Sequence, residues 1–291
     1  MLMIFDLHSH TTASDGKLTP QALVARAAEK RISVLAITDH DCVDAIVPAQ
    51  QAIQQQGLAM HLVAGVELST VWQNKDIHIV GLNLDIEHSA LKEFLAAQRE
   101  RRLARAQLIG QRLEKAGLVG ALAGAQAMAG HELVTRAHFA AWIVAQGKAK
   151  TMQAVFQKYL SRGNPGYVPP NWTGMAEAIA VIQKSGGVAV LAHPGRYKLS
   201  NKWLRMLLAD FSQMGGQGME VAQPQQRPDE RRFLADLANQ HGLLASQGSD
   251  FHYPSPWLEL GRNLWLPDEV TPIWHDWTLA TPIDACFAKS E

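Results

Sequence analysis

Asp6-Leu7-His8-Ser9-His10, with Asp15-Gly16 close behind, is the stretch around which the rest of the chain is arranged. It follows a short apolar run, Met1 to Phe5, that reads as a strand entering a core. Residues two apart in a strand point the same way, so His8 and His10 aim their imidazoles at one point. Neutral imidazole is the commonest metal-binding side chain. Taken alone the pair also has a bland reading, because histidines hydrogen-bond in cores and sit on surfaces. The residues that follow decide between the two.

Thr19-Pro20 reads as an N-cap and first helical position, opening a helix through Leu23, Val24, Ala27 and Ala28 toward Lys30. Ser33 to Thr38 is a β-leaning run that delivers Asp39-His40-Asp41. A helix near Ala45 to Gln56 closes at Gly57. His61 to Ala64 leads into Gly65-Val66-Glu67, a strand expected to end in that acid, and Asp76 to Val80 alternates as the next strand, carrying His78. Strand, metal-type residue and helix thus repeat. That rhythm predicts parallel strands with crossover helices, and a βα barrel gathers ligands at the C-terminal ends of such strands.

From His88 to about Ala149 the rhythm gives way to helix, with Leu91, Phe94, Leu95, Leu103, Ile109 and Leu113 as an imperfect stripe broken at Gly117 and Gly120. Arg99, Arg101, Arg102 and Arg105 form a basic run there; a solvated face is the ordinary reading, a phosphate-contacting edge for RNA the functional one. Thr135-Arg136-Ala137-His138 opens another helix, and Gly163 to Pro170 is loop. The barrel rhythm then resumes: a helix at Ala176 to Lys184, a strand to Ala192 delivering His193-Pro194-Gly195-Arg196, a helix at Trp203 to Phe211 and a strand at Gly218 to Ala222. A helix from Asp229 to His241 and a strand at Leu243 to Ser246 follow, the latter feeding Gly248-Ser249-Asp250-Phe251-His252. The expected division is a barrel over 1–87 and 175–291 with a mostly helical insertion over 88–174.

Composition narrows the classes. A 291-residue chain with 47% hydrophobic residues is globular and buries a large core. Lys plus Arg equals Asp plus Glu at 27 each, so no global positive field draws it onto nucleic acid. The N-terminal apolar run is too short for a signal peptide, and no segment approaches the ~20 apolar residues of a membrane helix. Cys42 and Cys286 make no disulfide framework, which fits a reduced, cytoplasmic setting; Cys42 reads as a small packed residue.

His8, His10, Asp15, His40, Glu67, His78, His193, Asp250 and His252 exceed what one tetrahedral zinc can use. A Cys-free His/carboxylate set points to a catalytic cluster of Mn, Fe or Zn. The three carboxylates neutralise half the charge of three divalent ions, and the excess suits a hydroxide plus a phosphate. Ions about 3.5–4 Å apart generate the nucleophile and clamp attacking and leaving oxygens.

Asp6-Leu7-His8-Ser9-His10, Thr38-Asp39-His40-Asp41, Gly65-Val66-Glu67, His78-Ile79-Val80-Gly81, Ala192-His193-Pro194 and Gly248-Ser249-Asp250-Phe251-His252 together resemble the PHP (polymerase and histidinol phosphatase) superfamily. The resemblance implies an α/β fold, a distorted seven-stranded (β/α)7 barrel with a helical insertion, and a trinuclear centre at the nine residues just named. The insert, Thr135 to Phe139, Lys158 to Leu160, Gly166 to Val168 and His193 to Arg196 resemble one bacterial subfamily, that of 3′,5′-nucleotide bisphosphate phosphatases and 5′-to-3′ exoribonucleases of the RNase AM type. This implies Mn²⁺, with Fe or Zn as other occupants, and as substrates 3′,5′-bisphosphate nucleotides and 5′-phosphorylated short RNA.

By the same likeness His8, His10, Glu67 and Asp250 hold one ion, Glu67, His78 and His193 a second, and Asp15, His40 and His252 a third. The catalytic group is then a metal-activated hydroxide, with Arg196 on the scissile phosphate. Arg136 and His138 read either as a seat for the 5′-phosphate or as a helix start with a packed histidine. A phosphatase for another small monoester, such as histidinol phosphate, and a non-catalytic metal-bound module are the competing readings. No membrane and no obligate protein partner is expected.

Overall fold

The computed structural model describes residues 3–278. Met1, Leu2 and residues 279–291 lie outside the described residues, so the expectations for Cys286 and for the end of the barrel segment fall there. Strand β1 (Phe5–Asp6) leads to helix α1 (Pro20–Glu29), where the Thr19 hydroxyl accepts a hydrogen bond from the Ala22 N–H and Pro20 takes the first turn. Strand β2 (Val34–Ile37) lies parallel to β1, and helix α2 (Ile46–Gln56) ends at Gly57 in the left-handed region. Strand β3 (His61–Trp72) lies parallel to β2.

Here the structure departs from the all-parallel expectation. β3 does not stop at Glu67. It runs on to Trp72, turns through Gln73 and Asn74, and returns antiparallel as β4 (Lys75–Leu82). Both turn residues have positive φ, 47° and 58°, the backbone of a two-residue hairpin whose twist matches its strands. A hairpin needs no crossover helix, so Glu67 and His78 sit in mid-strand.

The insertion opens with α3 (Ser89–Lys115), followed by α4 (Ala121–Ala129), α5 (Arg136–Ala145) and α6 (Met152–Val155), which runs into a π-helical turn at Phe156–Leu160. At about 1.5 Å per residue α3 is some 40 Å long. Its first turns pack Leu91 and Leu95 on the barrel's core, while Ile109 and Leu113 join a separate core with Phe139, Ile143 and Leu160. One helix therefore carries a cap outward from the barrel.

The chain returns through α7 (Met175–Lys184), β5 (Val188–Leu191), α8 (Asn201–Gln213), β6 (Gly218–Ala222), α9 (Pro228–Gln240) and β7 (Leu244–Gln247). β5 is antiparallel to β4, and β5 to β7 are mutually parallel. The sheet order is β1 to β7, and β7 comes back to β1: Leu7 N–H donates to Gln247 O at 3.1 Å, and Ser9 pairs with Phe251. The result is a nearly closed seven-stranded barrel. Alternation then sorts the faces. Ile77 and Ile79 pack outward with Ile179, Leu207 and Phe211, while Val80, Leu82, Val63, Phe5 and Val190 fill the interior. Glu67 and His78 share the interior parity and lie above this filling.

Candidate metal centre

His8 and His10 leave β1 side by side, with Nε2 atoms 3.1 Å apart. The Nδ1 of His8 faces Glu220 Oε1 at 2.6 Å, which turns its Nε2 into the cluster. His40 exits β2 and pairs with Glu67 of β3. His193 and Asp250 follow β5 and β7 with φ of 32° and 53°, left-handed turns that direct each side chain back over the barrel. Gly248 permits a close crossing there, because a Cβ on it would lie 2.3 Å from the His8 Cβ.

All nine expected ligands converge. Glu67 Oε1 lies 2.8 Å from His78 Nδ1 and 2.9 Å from His193 Nε2, and its Oε2 lies 2.9 Å from His40 Nδ1 and 3.4 Å from His10 Nε2. Asp250 Oδ1 is 3.3 Å from His8 Nε2 and 3.2 Å from His10 Nε2. Asp15 Oδ1 is 3.2 Å from His252 Nε2 and 3.8 Å from His40 Nε2. Three sets of donor atoms each lie within 4.8 Å of one another: His10, Asp15, His40 and His252; His8, His10 and Glu67; His40, Glu67 and His78.

The fit to metal rests on atoms left over. Asp15 Oδ1, Glu67 Oε2, His40 Nδ1 and His193 Nδ1 are buried, and despite contacts as short as 2.9 Å none of them is in hydrogen-bonding geometry. Such orphans are costly unless something else satisfies them. Burial pushes the Glu67 carboxyl up, but His40, His78 and His8 outweigh it and hold the group well below the usual carboxylate range. Asp15 and Asp250 are likewise driven up by burial and more strongly down by neighbouring imidazoles. Three buried anions among six imidazoles form a donor set suited to divalent cations.

Beside the cluster a cavity of about 180 Å³ opens toward the cap. Asp15, His40 and His78 form one side; Arg102, Arg105, Arg136 and Trp172 form another. The solvated-face reading of the basic run fails for Arg102 and Arg105, each only 6% exposed. The reason is helical spacing. Gln98, Arg102, Arg105 and Ile109 recur every three or four residues and share the inward face, while Arg99 points outward to Glu132. Arg102 donates to Asp41 and to Ser69 Oγ at 2.9 Å. Arg105 donates to Val168 O at 3.1 Å, and Arg105 and Arg136 share Asp76 at 3.7 and 3.3 Å. The guanidinia of Arg102 and Arg105 stack on Trp172 at 4.9 and 5.0 Å. The Nε atoms of both remain unpartnered. Burial lowers Arg105 to about 10, which leaves it charged at neutral pH.

Arg196 lies at the rim, 45% exposed, and donates to Asp250. His138 sits beneath the cavity wall, where its Nδ1 accepts the Thr135 N–H at 3.0 Å and closes a capping box; burial lowers it to about 4. Cys42 is a buried free thiol whose pKa burial pushes up. Glu220, Asp41 and Trp172 were not among the expected site residues, and the basic run was not divided into its buried and exposed arginines. Glu220 stood out as the one acid within the apolar run of β6, and the arginines by their spacing with Ile109.

A nearly closed barrel with a His/carboxylate cluster at its rim defines the class, a metal-dependent hydrolase. The chain belongs to the PHP domain family, which residues 6–160 match. It is 62% identical over 275 residues to the 5′-3′ exoribonuclease Rnm of Escherichia coli (strain K12), covering 94% of each chain. It is 41% identical over 273 residues to the 3′,5′-nucleoside bisphosphate phosphatase of Chromobacterium violaceum, covering 93% of this chain and 95% of that one. A solved Chromobacterium violaceum protein with bound sulfate, described as an amidohydrolase, superposes with a TM-score of 0.90 at 41% identity, covering 97% of this chain and 99% of that one. No helix among the described residues is long and apolar enough to cross a membrane.

Proposed function

We propose that this protein is a metal-dependent phosphoric ester hydrolase that removes the 3′-phosphate of 3′,5′-bisphosphate nucleotides and releases 5′-mononucleotides from 5′-phosphorylated short RNA. The observation that carries this reading is the arginine-walled cavity beside the donor cluster, because it offers a second anion seat next to the first. Both substrates carry two phosphates separated by one nucleoside. The names of the two relatives at 62% and 41% identity support the same pair of activities.

His8, His10, Asp15, His40, Glu67, His78, His193, Asp250 and His252 would hold three divalent ions, Mn²⁺ foremost, with Glu67 common to two of them. When bound, the ions supply a nucleophile from water and counter the charge on the attacking and leaving oxygens. Glu220 orients His8 through its Nδ1, and Asp41 holds Arg102 in the wall. Arg102, Arg105 and Arg136 would grip the 5′-phosphate, and His138 fixes the helix start from which Arg136 reaches. Arg196 would stabilise the scissile phosphate as charge grows on its oxygens. Such substrates fit a cytoplasmic setting.

A histidinol-phosphate-type monoester needs one anion seat, and an amide needs none, so the buried arginines favour neither. The test is a product assay on pAp and on 5′-labelled short RNA with added Mn²⁺. Release of AMP from pAp and of 5′-mononucleotide from RNA is the expected result. Turnover of histidinol phosphate with neither of these would overturn the proposal.

A further inference from the structure

The cap cavity lies over the exits of β2 to β4, but a second opening lies on the other flank, over the exits of β5 and β6. It is a cavity of about 320 Å³ lined by Arg196, Gln223, Gln226, Leu199 and Phe233. Its inner edge touches the metal-type cluster at two points. Arg196 donates to Asp250, and Gln223 Nε2 donates at 3.2 Å to Glu220, the carboxylate that orients His8. At its outer edge Gln225 is shared with an open groove that continues to Trp257 and Arg262. Arg262 Nη1 donates to Pro256 O at 2.7 Å, which ties the arginine to the segment bearing the tryptophan. Trp257 is 76% exposed. So large an apolar ring gains nothing from that position in the isolated chain.

We infer that the groove from Arg196 past Gln225 to Trp257 is the track for the RNA strand beyond the scissile phosphate, with Trp257 stacking one of its bases. The inference rests on the proposed exoribonuclease reading. With the 5′-terminal nucleotide under the cap, water attacks phosphorus, the bond from phosphorus to the 3′ oxygen breaks, and that oxygen takes the proton. The phosphate stays on the second nucleotide, so a substrate longer than pAp needs a path away from the cap. Gln223 is buried on Glu220, so the amides left for base edges are those of Gln226, whose Oε1 accepts the Gln223 N–H, and of the exposed Gln225, and they demand no one sequence. Arginines at either end match the backbone phosphates, and an exposed tryptophan is a sequence-tolerant stacking platform. On this placement a bisphosphate nucleotide ends at Arg196.

The test uses the full chain with Mn²⁺ and two substrates, pAp and a 5′-phosphorylated trinucleotide. Trp257→Ala should lower kcat/KM on the trinucleotide by about five- to a hundred-fold, mostly through KM. Gln225→Glu sets a carboxylate on the track and should weaken RNA cleavage several-fold at low salt. Both variants should hydrolyse pAp within two-fold of wild type. Unchanged trinucleotide cleavage in both variants would overturn the track. An equal loss on pAp would overturn it too, since pAp has no second nucleotide. A wild-type chain that hydrolyses pAp but cuts no RNA would instead break the exoribonuclease reading, and the track with it.

Discussion

Two groups of charge share one cavity and are incomplete in opposite ways. On the barrel side the atoms outside hydrogen-bonding geometry are carboxylate oxygens and ring nitrogens: Asp15 Oδ1, Glu67 Oε2, His40 Nδ1 and His193 Nδ1. On the cap side they are N–H donors, the Nε atoms of Arg102 and Arg105. The first group needs cations and the second an anion. A ligand that completes both is an ester of phosphoric acid with metal ions at one end and a second phosphate at the other. On the proposed reading the barrel carries the chemistry and the cap chooses the substrate, and each side can be broken separately.

Glu67→Ala should do the most damage, because its two oxygens lie within 3.5 Å of five histidines of the cluster. Loss of a group that merely orients a ligand costs about 10–100-fold in metal affinity. A shared ligand should cost more. Elemental analysis should fall from three ions per chain toward one, and turnover of pAp should become undetectable. Three ions retained in the variant would show that the barrel side is held together otherwise.

Arg196→Ala comes next, and should lower kcat by about a hundred-fold with KM little changed, as for loss of one preplaced donor. A rise in KM alone would move Arg196 from the transition state to substrate binding. Arg136→Ala sharpens the contrast from the cap side. Charge-assisted hydrogen bonds of about 1.5–3 kcal/mol correspond to a KM for pAp at least ten-fold higher. Preference for 5′-phosphate over 5′-hydroxyl RNA should shrink in parallel, and Arg102 and Arg105 should retain part of it. If the full preference survives, Arg136 is only a helix start. Smallest is Cys42→Ser. Burial keeps that thiol protonated, so activity should stay within a few-fold of wild type. Complete loss of activity would place the sulfur in the chemistry.

The cluster was legible because β-strands place residues two apart on one face and because barrels collect strand exits. His8 with His10 follows the first rule; His40, His193, Asp250 and His252 follow the second, the left-handed turns at His193 and Asp250 bringing those side chains back over the barrel. The β3–β4 hairpin was not legible. Gln73-Asn74 lacks the glycine that usually marks such a turn, so the chain read as another parallel unit. Glu67 and His78 converge all the same, because interior parity survives reversal of the strand. The buried arginines were hidden by averaging. Arg99 to Arg105 looks uniformly solvated as a charge run, yet a turn of 3.6 residues divides it into an outward Arg99 and an inward Arg102 and Arg105. What the sequence could not reveal was Trp172, 67 residues beyond Arg105, waiting beneath their guanidinia.

His193 and Asp250 hold left-handed backbone, with φ of 32° and 53°. Each such residue costs of order 1–3 kcal/mol relative to an ordinary conformation. Glycine adopts the same angles without that penalty and loses less than it gains despite its freer unfolded chain. A library of this protein sorted for heat resistance alone should therefore drift toward glycine at these very positions. The barrel would survive such selection with a higher melting temperature, and the centre would be gone. Thermal screens of this chain need a turnover readout at every round, because fitness for folding and fitness for hydrolysis pull apart at single peptide units.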